Sequence, residues 1–425
     1  MQADTRYDVI VIGGGPAGLA AALEAHADGQ TRVLLVERND TLGGILPQCI
    51  HNGFGAVVFN QDLPGSEYAW RYRTMVEQSG IDVLLDTMVL DVTAELDVYA
   101  MNDRDGYMRL RPRAIVLAMG CRERTRAQIR LPGSRCAGVF GAGTVQRLVN
   151  IEGYMPGRRF LILGSGDIGM IMARRLTIEG AEVIGVLELL PFLTGLRRNY
   201  VQCLQDWGIP LYLSTTVNRV IGGRRLEAVE TIRVGDDLQP IPGTEGLVEC
   251  DTLLLSVGLI PENELSRKAG VTLDPRTGGP VVDSAMSTTV AGIFAAGNVT
   301  SIYDLVDYVS KAGAVAGRSA ARYARERPDG RAETVTVAAG KNVASVIPQR
   351  IRFDTPVSEE NLLMLRPSAL MEHSVQVELR AGSRVLASFR GNYSRPAEMM
   401  IHRLKPQQLR ALKSAPRREI TAEIQ

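Results

Sequence analysis

The chemistry that this 425-residue chain could support begins near its N-terminus, with the glycine pattern 13–18 and the acid Glu37. Glycines at this spacing form a turn whose backbone can approach a pyrophosphate, and the third glycine lets a helix pack closely on a strand. An acid about twenty residues later can accept hydrogen bonds from ribose hydroxyls. The pattern therefore predicts a dinucleotide site. Its predicted residues are Gly13, Gly15, Pro16, Ala17, Gly18 and Glu37.

The segments around this turn have the composition that such a site requires. Residues 7–12 form a β-branched apolar run, and residues 17–22 are rich in alanine and leucine. This predicts a buried strand followed by a helix. A second apolar run, 32–36, ends directly before Glu37. The order is thus strand, glycine turn, helix, strand and acid, as in a dinucleotide-binding unit.

The same pattern recurs 151 positions further along the chain. A glycine turn at 164–169 follows the apolar run 159–163, and Glu188 follows the run 182–187, with the same separation between turn and acid. Two copies at one spacing predict two dinucleotide sites. A further apolar run, 251–257, leads into a glycine at 258. The predicted residues of the second site are Gly164, Gly166, Asp167, Ile168, Gly169, Glu188 and Gly258.

The acid of the second copy favours NADH over NADPH. A carboxylate at Glu188 would accept from a free ribose 2'-hydroxyl and repel a 2'-phosphate. Arg197 and Arg198 follow within ten residues and could reverse this preference if their loop folded back. The residues therefore predict NAD(H), with NADPH as the alternative.

Composition argues against several other classes of protein. The 48 basic and 47 acidic residues leave a net charge of +1, so no basic footprint indicates a nucleic acid or an anionic membrane. No apolar stretch has the length of a membrane span, and the first strand begins too early for a secretory signal, so we expect a cytoplasmic protein. The five cysteines form no C-x-x-C pair, which argues against a metal or iron–sulfur site and against a local redox disulfide.

The residues after Glu37 extend the first pattern to a basic residue, Arg38, and a glycine pair, Gly43–Gly44. With the opening turn, they resemble the FAD-binding domain of the two-dinucleotide-fold flavoproteins. This is the pyridine nucleotide-disulfide oxidoreductase superfamily, which includes glutathione reductase and thioredoxin reductase. The resemblance spans about residues 6–325. It implies that the first unit takes FAD and the second NAD(P)H.

Two later stretches carry the same resemblance, each with one departure. Residues 114–120 resemble the superfamily's second motif, with Met119 in place of threonine, and residues 291–298 resemble its late flavin motif, with Asn298 in place of aspartate. A helix beginning near 304 would direct its N-terminal dipole at the flavin. For Asp307 and Tyr308 a capping and packing role is the open alternative. The further residues implied to bind FAD are Arg38, Gly43, Gly44, Ala118, Gly120, Gly297, Asn298 and Asp307.

A loop over residues 44–55 follows the glycine pair and would lie close to the flavin ring. It collects glutamine, cysteine, histidine and asparagine between glycines, which is unusual for a surface loop. One hypothesis makes His51, and secondarily Cys49, a catalytic group that tunes the flavin or handles a proton. The other makes this a packed loop with an inert, buried Cys49.

The loop and the late motifs resemble a narrower branch of the superfamily. It contains the FAD/NAD-linked subunits of hydrogen cyanide synthase, opine oxidase, archaeal proline dehydrogenase and anaerobic-type glycerol-3-phosphate dehydrogenase. This implies an FAD-dependent enzyme that exchanges hydride with NAD(P)H and passes electrons to or from a partner dehydrogenase subunit or small acceptor. Two alternatives remain: a thiol-disulfide reductase using Cys49, and a non-enzymatic flavin-binding assembly or sensor protein.

The expected fold is α/β, with two Rossmann-like dinucleotide-binding domains, the NAD domain being inserted in the FAD domain. The FAD domain is predicted at 1–140 and 285–330, and the NAD(P) domain at 141–284. Residues 331–425 alternate as short strands between proline and glycine turns, which predicts a small all-β domain. We expect this C-terminal domain to serve docking of the partner or oligomerisation.

Overall fold

The computed structural model describes residues 7–327, 332–354, 361–415 and 419–425. The chain divides into two compact units. Unit 1 consists of Met1–Cys121 and Pro261–Gln425, and unit 2 consists of Arg122–Ile260. Among the described helices, none combines the length and the hydropathy that crossing a bilayer requires.

The described elements are numbered here in chain order. The strands are β1 Val9–Ile12, β2 Val33–Val36, β3 Asn52–Phe54, β4 Leu63–Pro64, β5 Asp82–Leu84, β6 Met88–Val92, β7 Val98–Asn102, β8 Gly106–Leu110, β9 Ala114–Leu117, β10 Cys121–Glu123, β11 Val139–Gly141, β12 Arg159–Leu163, β13 Glu182–Leu187, β14 Leu211–Tyr212, β15 Thr215–Gly222, β16 Leu226–Arg233, β17 Gly246–Glu249, β18 Thr252–Leu255, β19 Leu259–Pro261, β20 Ile293–Ala295, β21 Thr334–Ala339, β22 Val343–Ile347, β23 Arg350–Arg352, β24 Leu362–Pro367, β25 Val375–Ala381, β26 Arg384–Gly391, β27 Met400–Arg403 and β28 Glu419–Ile424. The helices are α1 Pro16–His26, α2 Gly65–Ser79, α3 Ala142–Asn150, α4 Asp167–Ile178, α5 Arg197–Cys203, α6 Glu264–Lys268, α7 Val306–Glu326 and α8 Pro406–Lys413, with 3-10 turns at Leu46–Gln48, Gln205–Trp207 and Gly297–Val299.

Unit 1 is built on a five-stranded parallel sheet with the strand order β20-β9-β1-β2-β5. All four residues of β1 are buried, as expected for a strand covered on both faces. The antiparallel sheet β6-β7-β8 is inserted between β5 and β9. Helices α1 and α7 cross closely, because Gly313 and Gly317 leave no Cβ to overlap the carbonyl oxygens of Ala17 and Ala21. This close crossing places residues 313–317 of α7 against the first two turns of α1.

Unit 2 repeats this plan with the parallel order β11-β18-β12-β13-β14. Strand β12 pairs with β13 and β18, so Leu163 lies between Leu187 and Leu255 in register. Helix α4 follows β12, and the antiparallel sheet β15-β16-β17 completes the unit. The predicted α/β fold with two Rossmann-like parallel sheets is thus confirmed.

The C-terminal region forms the sheets β23-β21-β28-β25-β26 and β22-β24-β27. These match the predicted strands, but helix α8 is an addition to the expected all-β arrangement. Helix α8 begins with Pro406, and the Gln408 side chain caps it by accepting the Lys405 amide. Leu412 is the buried residue on the inner face of the helix. Ile347 and Met364 of this region pack into the core of the first parallel sheet. The C-terminal sheets are therefore part of unit 1.

The predicted domain boundaries stay predictions. The compact units change between Cys121 and Arg122 and between Ile260 and Pro261, whereas the motifs place the boundaries at 140/141 and 284/285. The predicted boundary at 330/331 lies outside the described residues.

Candidate functional site

The first glycine turn connects β1 to α1 in unit 1. Gly13 has φ +105°, and a Cβ at Gly18 would overlap the Gly13 carbonyl oxygen, so both positions require glycine. Gly15 differs: its φ is −78°, and a Cβ there would meet only the Gly44 Cα atom, at 3.8 Å. The turn is thus closed on the protein side and open at Gly15. Because α1 has no side-chain cap and no acid in its first turn, its N-terminus suits a phosphate.

Glu37 holds this turn from the end of β2. Its carboxylate is 5% exposed and accepts the Gly14 amide at Oε2 (2.6 Å) and the Asn39 amide at Oε1 (2.9 Å). Each oxygen retains acceptor capacity for a ribose hydroxyl. Arg38 beside it is exposed.

The glycine pair of the sequence motif packs on the same turn. Gly43 N donates to Gly14 O (2.8 Å), and a Cβ at Gly44, which has φ +60°, would lie 2.9 Å from Gly15 Cα. The absence of side chains at both positions permits this close approach of two backbone segments.

The second glycine turn connects β12 to α4 in unit 2. Gly164 has φ +102°, and a Cβ at Gly169 would lie 2.7 Å from the Gly164 oxygen, so the turn has the same build. Glu188 is 4% exposed and accepts the Ser165 amide at Oε2 (2.9 Å) and the Leu190 amide at Oε1 (3.0 Å). The acid therefore binds its own turn in the same way as in unit 1.

The other predicted residues of the second site have different surroundings. Asp167 accepts from the Leu196 amide (2.8 Å) and from Asn199 Nδ2 (2.7 Å) through Oδ1, so it holds the segment before α5. Ile168 packs against the core beneath α4. Gly258 has φ +97° and open space where a Cβ would point.

The repeat extends beyond the acids, which the sequence interpretation missed. The offset of 151 positions also relates Gly43–Gly44 to Thr194–Gly195. Thr194 N donates to Ser165 Oγ (3.1 Å). A Cβ at Gly195 would lie 2.8 Å from the backbone carbonyl oxygen of Ser165. Gly195, which lies 151 positions after Gly44, is the sequence feature that indicates this extension of the repeat.

The late flavin motif lies against the first turn. A Cβ at Gly297 would lie 2.7 Å from the Ala17 Cβ. Asn298 accepts the Tyr303 amide at Oδ1 (3.2 Å), and its Nδ2 lies 3.6 Å from Cys121 Sγ. Directly before that cysteine, Gly120 has φ +73° and open space at the Cβ position.

The second motif, residues 114–120, is anchored at the end of β9 to the neighbouring strand β1. The Ala118 amide donates to Ile12 O (2.9 Å). The structure therefore brings the residues of the first, second and late motifs together at one edge of the sheet.

Asp307, in the first turn of α7, binds the loop after β3. Its carboxylate is 1% exposed and accepts the amides of Gly55 (3.1 Å), Val57 (3.1 Å) and Val58 (2.7 Å). These contacts favour the capping and packing alternative for Asp307 over direct contact with the cofactor.

Cys49 and His51 lie in the loop between the glycine pair and β3. Cys49 is 8% exposed, its Sγ lies 3.6 Å from Ile45 O, and burial raises the pKa of its thiol to about 12. His51 is half-buried, with its ring 5.2 Å from that of Phe54. The surroundings of Cys49 match the packed-loop alternative, while His51 keeps access to solvent.

The C-terminal sheets hold the segment before α7, a contact without a sequence signal. Asp304 pairs with Arg366 of β24 through Oδ1 and accepts the Met399 amide through Oδ2 (2.6 Å). Arg366 also donates to Ile302 O (3.1 Å). The C-terminal region thereby fixes the loop that leads into α7.

Comparison with known proteins decides what this arrangement is. The profile of the pyridine nucleotide-disulphide oxidoreductase family matches residues 7–313. The chain belongs to this family. Its members are FAD- and NAD(P)-dependent oxidoreductases, so the predicted superfamily and enzyme class are confirmed, while the roles of individual site residues stay predictions.

Individual relatives are distant. An opine oxidase subunit of Agrobacterium tumefaciens (strain Ach5) is 28% identical over 74% of this chain and 64% of its own length. The chain thus spans less than two thirds of that relative. Thioredoxin reductase of Listeria innocua is 26% identical over 75% of this chain and 94% of its own. The solved thioredoxin reductase of T. acidophilum matches at a TM-score of 0.62 with 23% identity, covering 74% of this chain and 98% of its own, which shows the fold.

The contacts of Asp307 predict a local effect of its removal. Asp307→Ala leaves three amides of residues 55–58 without their acceptor, so the free energy of unfolding should fall by about 2–4 kcal/mol. Thermal unfolding and hydrogen exchange at residues 55–58 measure this. Asp40→Ala, an exposed control, should change neither. Unchanged exchange in Asp307→Ala would contradict the assignment.

Proposed function

We propose that this enzyme exchanges hydride between NAD(P)H and FAD and passes electrons to or from a partner dehydrogenase subunit or a small acceptor. One observation carries the proposal: two glycine turns of the same build, each with a buried acid that accepts the amide of its second residue. In this family such turns are expected to bind dinucleotides.

The residues of unit 1 would bind and orient FAD. The amides at the start of α1 would face the pyrophosphate, and Glu37 would accept from the adenosine ribose. Bound FAD supplies a ring that takes up or releases a hydride. His51 would exchange a proton near this ring, since imidazole is the side chain best suited to proton exchange at neutral pH. Asp307 would act indirectly, by holding residues 55–58.

We propose NADH as the nucleotide of unit 2. Glu188 at the end of β13 would accept from a free 2'-hydroxyl and repel a 2'-phosphate. The segment bearing Arg197 and Arg198 does fold back on the turn through Asp167, and both arginines are exposed. Their charges would favour NADPH and so oppose the effect of Glu188. We expect the effect of Glu188 to be the larger, so kcat/KM for flavin reduction should be higher with NADH, and a higher value with NADPH would contradict the proposal.

A matched pair of alanine substitutions tests the assignment of the two cofactors. The Cβ atoms of Gly15→Ala and Gly166→Ala would have no protein neighbour closer than 3.8 Å and 3.4 Å, and both glycines have negative φ, so both variants should fold. Each Cβ would point toward its expected pyrophosphate. Gly15→Ala should weaken FAD binding about tenfold or more, and Gly166→Ala should raise the KM for NADH by a similar factor with FAD content unchanged.

FAD content is read from flavin absorbance after gel filtration, and reduction from anaerobic stopped-flow bleaching. If Gly166→Ala loses FAD and Gly15→Ala retains it, the assignment is reversed. If FAD-loaded protein is bleached by neither NADH nor NADPH, the hydride proposal fails and the assembly or sensor alternative gains support.

The proposed partner rests on the relatives and on the C-terminal region. The Agrobacterium relative is named as one subunit of an opine oxidase, which suggests a multi-component system here as well. The C-terminal sheets remain our proposed docking region. Ile347 and Met364 of these sheets pack into the core of the first sheet, and Arg366 holds Asp304, so a partner bound there would be connected to unit 1 by packing and by an ion pair.

Purification of the tagged chain from its native host tests the partner proposal. We expect a dehydrogenase subunit in stoichiometric amount, and we expect the substrate of that dehydrogenase to bleach the flavin of the complex anaerobically. A chain that purifies alone and reduces only small dyes with NAD(P)H would contradict the partner proposal and leave the small acceptor.

The thiol-disulfide alternative is favoured by the relatives named thioredoxin reductase. The structure offers little chemistry for it. All five cysteines lie within the described residues and none of them forms a disulfide there, and Cys49 is buried. A nucleophilic thiol must ionise, and burial opposes this at Cys49.

The raised pKa of Cys49 predicts slow alkylation. With a pKa of about 12 the thiol stays protonated at pH 8, so iodoacetamide should label it roughly 100-fold or more slowly than in the urea-unfolded chain, and faster as pH rises toward 12. Peptide mass spectrometry measures this, with partly exposed Cys136 as the faster internal control. Two additional thiols after dithionite reduction would instead support a redox disulfide.

A further inference from the structure

The two acids of the repeat differ in what surrounds their carboxylates. Two glycines of unit 1, Gly14 and Gly43, correspond at the 151-residue offset to Ser165 and Thr194 in unit 2. We call Ser165 and Thr194 the hydroxyl pair. Ser165 is fully buried, and Ser165 Oγ and Thr194 Oγ1 are 3.0 Å apart.

Both hydroxyls donate to one oxygen of Glu188. Ser165 Oγ lies 2.6 Å and Thr194 Oγ1 2.9 Å from Oε2, which also accepts the Ser165 amide at 2.9 Å. The Thr194 amide donates to Ser165 Oγ (3.1 Å), which leaves that hydroxyl's own hydrogen for the carboxylate. Oε2 of Glu188 is therefore saturated by three donors.

Glu37 has a different balance of donors. Among the described residues it accepts one amide at each oxygen, Gly14 at Oε2 and Asn39 at Oε1. Since a carboxylate oxygen offers about two acceptor positions, Glu37 can accept two ribose hydroxyls. Glu188 has capacity at Oε1, beside the Leu190 amide, for one.

We infer that the hydroxyl pair sets the nucleotide selectivity of unit 2, by occupying Oε2 of Glu188 so that the acid binds one ribose hydroxyl instead of two. The inference rests on the proposed function, in which unit 2 binds NAD(P)H. The pair also disperses the negative charge that would repel a 2'-phosphate. Unit 2 should therefore discriminate between NADH and NADPH less strongly than it would if Glu188 accepted no hydroxyl groups of the protein. Ser165 and Thr194 act through Glu188 and are positioning residues.

A merely structural role makes a different prediction. If the hydroxyls only hold residues 194–196 on the turn, their loss should destabilise the turn and weaken both nucleotides alike. If they restrict Glu188, their loss should change the ratio of the two affinities.

Calorimetric titration of the FAD-loaded full chain tests this with ADP-ribose and 2'-phospho-ADP-ribose. The double variant Ser165→Ala/Thr194→Val removes both hydroxyls and leaves only the backbone amide of residue 165 on Oε2, the balance found at Glu37. It should tighten ADP-ribose binding and widen the affinity ratio between the two ligands about tenfold, the scale of one hydrogen bond to a charged group. Ser165→Ala alone and Thr194→Val alone each leave two donors on Oε2 and should leave the ratio closer to the wild-type value.

Two control variants complete the experiment. Thr194→Ser keeps the hydroxyl and should restore the wild-type ratio. Thr177→Val removes a hydroxyl that bonds Ala173 O on α4 and should leave both affinities unchanged.

Each failure has its own signature. If the double variant leaves the ratio within about twofold of the wild-type value, or weakens both ligands together, the inference is overturned while the proposed function stands. If the wild-type chain binds neither ligand, the proposed role of unit 2 fails and the inference fails with it. Should this double variant prove unstable in thermal unfolding, Ser165→Gly/Thr194→Gly, which carries the residues of unit 1 at these two positions, decides the outcome.

Discussion

The structure depends on one repeated interaction, in which a buried glutamate accepts the amide of the second residue in a glycine turn. A carboxylate that is only 4–5% exposed must be satisfied by donors, and here the turn supplies them. The bond joins the ends of two neighbouring parallel strands, β1 with β2 and β12 with β13. The acid is consequently oriented before any ligand arrives, and the open face of the turn is set at the same time.

A second pair of carboxylates, Asp304 and the buried Asp307, links other parts of unit 1 to the region of this turn. Arg366 of the C-terminal sheets holds Asp304, and Asp307 three residues later binds the amides of residues 55–58. Between them begins α7, whose glycines seat it against α1. Contacts therefore run from the C-terminal region through Asp304 and the start of α7 to residues 55–58, which follow the loop that carries Cys49 and His51.

Much of the fold could be predicted from residue pattern. The runs before Gly13 and Gly164 form β1 and β12, and their apolar residues are all buried, as expected for parallel strands covered on both faces. Helix α8 was missed, since an eight-residue amphipathic segment among short strands gives a weak periodic signal. Asp307 was assigned to the cofactor from its place in a motif, and the loop amides that occupy its carboxylate come from 250 residues away in sequence. No local pattern encodes such a partner.

Residue types and spacing are sufficient to predict the α/β class, the two glycine turns, the two acids and their common offset, because these depend on local spacing and on backbone conformations that glycine alone adopts freely. The same offset relates Gly43 to Thr194. The packing of distant segments, in contrast, determines which groups the acids already bind, that Cys49 is buried, that Asp307 binds a loop, and that the C-terminal sheets belong to unit 1. These features depend on which distant segments pack together, because that packing determines which donors reach the acceptor positions of each buried carboxylate.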